Sequence, residues 1–414
     1  MKIVEVETKS GTNKILQKAI DDVYQSGGGT VRICSGTFHM YDSLHLRSGV
    51  NVVGVKGKTI LKKCRSQSSK LSADLGYGHY DVSVEKPGLF KPGMGVYIRD
   101  VNGCGFYGTV ATVTWKDGDR IGINRMLNHD YARIRKAMVS TVFPVISGYY
   151  ANNLVIEGIT IDGNAEENEF IDGCRGGGMF LLQCHGIKIK GVTEKNYNGD
   201  GISFQQCTNL IIEDCDISKN YGSGLHPGSG SAGVVMRNCK ITGNRKDGVF
   251  YCLRVTYTLL ENCEISENGN DGISVGARDT DHIIRNNLIT KNFRHGIYFR
   301  KADKTMGGHR NLIDSNMIVN NCQKEGNTEV FIEDVTENIW FKNNKIQGEK
   351  KSSYGIISGK NCKKICLGND NKFIGLKHDI KPGKVFLYTL PEKILVGPDY
   401  LDNKSVRHLN IELH

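Results

Sequence analysis

Between residues 200 and 301 one short phrase returns every 23 or 24 residues, and it carries side chains suited to acid–base and anion-binding chemistry. It reads Asp200-Gly201-Ile202-Ser203-Phe204, Ser223-Gly224-Leu225-His226-Pro227, Asp247-Gly248-Val249-Phe250-Tyr251, Asp271-Gly272-Ile273-Ser274-Val275 and His295-Gly296-Ile297-Tyr298-Phe299. Strand alternation sends successive side chains to opposite faces. If Ile202, Leu225, Val249, Ile273 and Ile297 point inward, then Ser203, His226, Phe250, Ser274 and Tyr298 form an outward stripe. Two positions on, Gln205, Gly228, Cys252, Gly276 and Arg300 form a second. An exposed histidine, two exposed aromatics and an arginine are therefore expected on one wall.

Histidine exchanges protons near neutral pH, so His226 is the candidate base. Its coil departs most from its neighbours: it lacks the Asp-Gly start and runs into the Gly/Ser-rich Gly228-Ser229-Gly230-Ser231. Arg300, with Arg254 or Lys301, is placed to neutralise a carboxylate. Tyr298 is placed to return a proton. Phe250 offers a face for a sugar ring, beside Gln205. Asp200 and Asp247 flank the His226 coil. On stacked coils Asp247 and Asp271 would lie about 5 Å apart, and Asp200 and Asp247 about 10 Å, which brackets the carboxylate spacings of glycosidases. The plainer reading is that Asp-Gly makes a good turn, and it weighs most at Asp271, kept as a binding residue. The acidic loop Asp162–Glu169 offers oxygens to Ca²⁺. Its spacing matches no calcium loop, so it is read as a solvated turn, with no metal or cofactor expected.

The elements that would position these residues follow from a second repeat. IIEDCDISKN (211–220), VMRNCKITGN (235–244), LLENCEISEN (259–268), IIRNNLITKN (283–292) and LIDSNMIVNN (312–321) return after 24, 24, 24 and 29 residues. Cys215, Cys239, Cys263, Asn287 and Asn316 fall in one register, and Asn220, Asn244, Asn268, Asn292 and Asn321 in another. A column of identical amides suits coils stacked about 4.8 Å apart, each amide bonding to the next. The expected fold is an all-β, right-handed, single-stranded parallel β-helix, a solenoid in which each coil touches only its neighbours. Residues 13–25 have apolar side chains at helical spacing (Ile15, Leu16, Ala19, Ile20, Val23), with Thr12 or Asn13 able to cap. They would shield the open edge of the first coil. Residues 79–143 break the rhythm and predict an antiparallel lobe. The main coils run over 144–372, and 377–414 are expected to close the far end, all within one domain of residues 1–414.

Composition narrows the function. Hydrophobic residues at 39% and charged residues at 24% support a packed core. No stretch approaches the roughly 18 apolar residues of a membrane span. The sequence as it stands lacks a signal peptide, which points to the cytoplasm, with secretion open if a leader was removed. Thirteen cysteines without Cys-x-x-Cys spacing read as reduced packing residues. The net charge of +10 would draw a polyanion, yet no nucleic-acid motif is found. An acidic saccharide fits that charge; a homo-oligomer is left open.

The coil phrases, with the opening ILQKAIDDVYQSGGGTVRICSGTF, resemble the pectin-lyase-like superfamily of right-handed β-helix proteins. That resemblance implies a carbohydrate-active protein among lyases, hydrolases, epimerases, phage tail proteins and adhesins. Asn198-Gly199-Asp200 and Phe299-Arg300-Lys301 are similar to phrases of polygalacturonase-type hydrolases, but Tyr221-Gly222-Ser223 replaces the adjacent aspartates those enzymes need. Leu225-His226-Pro227 is similar in placement to the Asp-Pro-His motif of alginate C5-epimerases, without its aspartate. The leading expectation is β-elimination, or the related C5 epimerisation, on a uronic-acid-containing saccharide. Alternatives are a glycoside hydrolase using Asp200 and Asp247, and a non-catalytic glycan-binding β-helix.

Overall fold

The computed structural model describes residues 2–103, 105–349 and 354–381, with a few positions as far as 396. The chain is a parallel β-helix whose strands add, coil after coil, to three parallel sheets. Its contacts divide it into two compact units: residues 1–182 with 192–203 and 220–222, and residues 183–191 and 204–219 with 223–414.

In the first unit the helix Asn13–Gln25 starts at Thr12, whose hydroxyl accepts from Lys14 N–H. Leu16, Ala19, Ile20 and Val23 are buried, while Ile15 stays on the outer side. Strands Lys2–Val6, Gly29–Ile33 and Val50–Val53 pair in parallel. The chain then leaves the coils after Thr59–Lys63. It builds a six-stranded antiparallel sheet from Ser68–Lys70 to Met138–Ser140 and returns at Ile146–Tyr149, which pairs with Leu44–His45. This sheet begins before position 79, the boundary suggested by the loss of rhythm, because Ser68–Lys70 pairs with Met138–Ser140 across the lobe. It holds its own core of Val82, Val96, Ile98, Val113, Ile121 and Val139.

The second unit is the regular solenoid. Three inward columns fill it: Ile212–Met236–Leu260–Ile284–Ile313, Ile217–Ile241–Ile265–Ile289–Ile318 and Leu225–Val249–Ile273–Ile297–Val330, all fully buried. Each such side chain contributes about 1.5–3 kcal/mol by leaving water. The amide column exists as hydrogen bonds: Asn244 Nδ2 donates to Asn268 Oδ1 (3.0 Å), Asn268 to Asn292 (2.9 Å) and Asn292 to Asn321 (2.8 Å). It ends on the buried carboxylate of Glu329, which accepts from Asn321 at 2.6 Å. A second column continues from Asn287 through Asn316 and Asn344 to Asn371. Between the first and second strand of each coil one residue is left-handed, Asn238, Asn262 and Asn286 at φ 53–55°, a conformation asparagine tolerates better than most. The twelve described cysteines are all free thiols. The expected closing segment 377–414 lies outside the described residues except for residues 377–381 and a few positions beyond.

Candidate functional site

The outward stripe of the second unit follows the pairing of its third sheet. Leu225 pairs with Val249, Val249 with Ile273 and Ile273 with Ile297, and all four point inward. One residue on, Phe250 pairs with Ser274, Ser274 with Tyr298 and Tyr298 with Phe331. His226 stands at the head of that row, its ring edge-on to Phe250 with centroids 5.2 Å apart.

The expected exposure is corrected by the structure. His226 is only 4% exposed, and Phe250 and Tyr298 are half-buried. In the second stripe the long side chains fold along the wall instead of leaving it, because glycines make room. A Cβ at Gly228 would meet the Gln205 carboxamide at 2.4 Å, and one at Gly276 would meet Arg300 at 3.0 Å. Gln205 is fully buried as a result.

Arg300 spends most of its guanidinium on the protein. Nη1 donates to Ser274 Oγ (2.9 Å), Nη2 donates to the Tyr251 carbonyl (2.6 Å), and Nη2 lies 3.5 Å from Asp279 Oδ2. Its Cζ also sits 4.5 Å from the centroid of the Phe250 ring. Asp279 is fully buried and accepts from Val255 N–H and Gly276 N–H, both at 3.0 Å. Burial pushes its carboxyl up to about 8, against the pull of Arg300 and those two donors.

Tyr298 donates to Glu333 Oε2 at 2.5 Å, and the Arg294 guanidinium lies over its ring at 4.6 Å. Burial and the Glu333 carboxylate push its hydroxyl up to about 12, so it holds its proton at neutral pH.

The aspartates of the repeated phrase do something the spacing alone left open. Asp271 N–H donates to Asp247 Oδ1, and His295 N–H donates to Asp271 Oδ1, each at 3.0 Å. Each carboxylate thus caps the backbone of the following coil, a second ladder beside the amides. Both are buried. Arg294 grips Asp271 through Nε (2.9 Å) and Nη2, while burial and the Asp271 charge push Asp247 up to about 7. Asp200 is buried in the first unit, in space that a Cβ on Gly222 of the same unit would take.

Two residues stand apart from this arrangement. Arg254 is exposed in a left-handed turn at φ 55°. Lys301 is 74% exposed, with Nζ 3.9 Å from Asp334. The acidic loop of the first unit folds as a short 3-10 turn over Ala165–Glu167, and its Glu169 accepts from Arg99 Nη2 (2.9 Å) and Ser140 Oγ (2.6 Å). That carboxylate is engaged by the protein.

The sequence reading missed Asp279, Arg294 and Glu333. Arg294 immediately precedes the His295-Gly296 phrase, so its column could have been followed. Asp279 and Glu333 sit in turns after the strands, where no repeat marks them.

The model for the "right handed beta helix region" family matches residues 95–258 and 177–346. The chain belongs to this right-handed β-helix family. No curated protein matches it by sequence. Among solved structures it is similar to the A-module of mannuronan C-5 epimerase AlgE4 from Azotobacter vinelandii, with TM-score 0.60 and 17% identity, covering 92% of this chain and all (100%) of that one. The AlgE6 A-module from the same organism gives 0.58 and 16%, covering 92% and 96%. A tailspike protein mutant of E. coli bacteriophage HK620, in complex with a pentasaccharide, gives 0.53 and 12%, covering 92% of this chain and 62% of the tailspike. At these identities the likeness establishes a shared fold. Chemically, the second unit sets an imidazole and a guanidinium against one aromatic ring, with a tyrosine that keeps its proton two strands further along the row.

Proposed function

We propose that this β-helix protein is a carbohydrate-active enzyme that removes the C5 proton of a uronic-acid residue, with β-elimination or C5 epimerisation as the outcome. One observation carries the reading: His226 and Arg300, distant in sequence, both touch the ring of Phe250. In this reading the sugar packs against the aromatic row, Arg300 neutralises its carboxylate, and His226 takes the proton. Tyr298 returns a proton to the leaving oxygen in elimination, or to the opposite face of C5 in epimerisation. Asp279 would release part of Arg300 to the substrate when it is protonated. The positive charge of the chain supports an acidic substrate, and the similar fold of two mannuronan C-5 epimerase modules is consistent with it. Hydrolysis by Asp200 and Asp247 is less favoured, because Asp247 is engaged in capping the backbone of the following coil.

Incubation with polymannuronate and polygalacturonate tests this. Elimination yields an unsaturated product that absorbs in the ultraviolet, epimerisation changes the C5 configuration seen by NMR, and hydrolysis yields reducing ends alone. His226→Gln is expected to lower turnover by about 10²- to 10⁴-fold. Full turnover in that variant on a verified substrate would remove His226 from the mechanism.

A further inference from the structure

A cavity of about 580 Å³ in the first unit is lined by coil residues on one side and by the antiparallel lobe on the other. His45, Ser147 and Tyr149 come from the paired strands Leu44–His45 and Ile146–Tyr149, and Tyr80 and Arg125 from the lobe. We infer that this cavity is a binding site for a carboxylate-bearing saccharide.

Three features support it. The volume lies within the usual range for small-ligand sites and suits one or two sugar rings. The lining contains two arginines and no carboxylate. Arg47 is paired with Asp21 at 2.9 Å, whereas among the described residues no carboxylate pairs with Arg125. Arg125 is held in place over the Tyr149 ring, its Cζ 3.4 Å from the centroid, so a planar cation faces the cavity at little ordering cost. Finally, Tyr80 and Tyr150 are 57% and 65% exposed at the rim, where their faces can pack on a sugar ring.

The polar floor is ordered as well. His45 is fixed at both nitrogens, Nδ1 2.9 Å from Ser147 Oγ and Nε2 3.2 Å from Asp42 Oδ2, and Thr112 donates to the same Asp42 oxygen at 2.7 Å. A preorganised site of this kind loses little rotamer entropy on binding. A carboxylate would sit against Arg125, with hydroxyls towards Asn124 and Asn128.

The inference rests on the reading above only for its ligand class. Hydrogen exchange with a uronate tetrasaccharide, and with its carboxyl-reduced neutral counterpart, localises the site. The charged ligand is expected to protect residues 124–128 and 146–150 in wild type and in His226→Gln alike. Arg125→Ala should abolish that protection, Tyr150→Ala should weaken it at unchanged melting temperature, and the neutral sugar should give little. Absence of protection in wild type, or undiminished protection in a folded Arg125→Ala, overturns the site. Loss of turnover in His226→Gln bears only on the catalytic reading.

Discussion

The coils from Val235 to Val319 and the antiparallel sheet from Ser68 to Ser140 are both built of short strands, yet they are held together differently. In the coils every level repeats the level below. Amides, an aliphatic triplet and left-handed turns recur at fixed places, and the polar groups of the interior bond vertically. Among its described residues the lobe has no such column. Its strands close over a private cluster that includes Val82, Val96, Ile121 and Val139, and the polar contacts of its buried side chains are local, such as Thr109 with Tyr131 at 2.9 Å and Tyr131 Oη with the Tyr107 carbonyl at 2.8 Å. A stacked repeat distributes its stability along the axis, whereas the lobe depends on a core packed once.

Acid should separate the two regions most. His282 in the coils is fully buried, stacked on Tyr251 at 4.4 Å and bonded through Nδ1 to Thr258 Oγ1 at 2.9 Å. Burial lowers its pKa to about 3. At His282 alone the unfolded state binds more protons than the folded one between about pH 6.5 and 3, so the contribution of this residue falls as pH falls, by about 1.4 kcal/mol per pH unit, against the opposite contribution of the buried carboxyls of Asp247 and Asp279. The lobe histidines His79 and His129 are at least partly exposed. Urea unfolding at stepped pH should show wild type losing stability relative to His282→Gln in coil probes as pH falls through this range. An unchanged acid slope in that variant would break the distinction.

The ladder itself comes next. Asn292 accepts from Asn268 N–H and Nδ2 and donates to the Ile265 carbonyl and to Asn321. Asn292→Ala leaves several buried groups without partners and should cost about 3 kcal/mol, read from the urea midpoint. A loss below about 1 kcal/mol would mean that the ladder is not what holds the coils.

Ile121→Val in the lobe should cost about 1 kcal/mol. Its effect should appear as faster hydrogen exchange within 68–140 while protection at 259–299 is unchanged. Equal acceleration in both regions would mean that the lobe core is not private. Least of all, Arg237→Ala removes a half-exposed bridge to Glu213 on the previous coil (2.7 Å) and should cost less than about 1 kcal/mol, no more than loss of the exposed Arg120–Asp81 pair in the lobe. Surface bridges do not distinguish the two architectures.

The same contrast governs what could be read from the chain. Spacing of 24 residues was enough to put Leu225, Val249, Ile273 and Ile297 in one column and His226, Phe250, Ser274 and Tyr298 in the next. It also brought Arg300 to Phe250 across fifty residues. Asp279 escaped because it occupies an irregular turn, and Glu333 because the coil before it lengthens to 29 residues or more. The exposure of the stripe was misread for another reason. Alternation gives the direction of a side chain, but the space left by Gly228 and Gly276 decides whether Gln205 and Arg300 leave the wall or lie along it.

What the sequence determined by itself is whatever repeats: the coil, its inward columns, its amide ladder and the row that carries His226. Stacking is a translation, so a period in the chain maps directly onto neighbours in space. Only the tertiary structure decided what does not repeat. It set the capping role of Asp247 and Asp271, the hold of Asp279 on Arg300, and a cavity that joins His45 to Arg125. Those contacts depend on how dissimilar segments pack, and packing between dissimilar segments leaves no period to read.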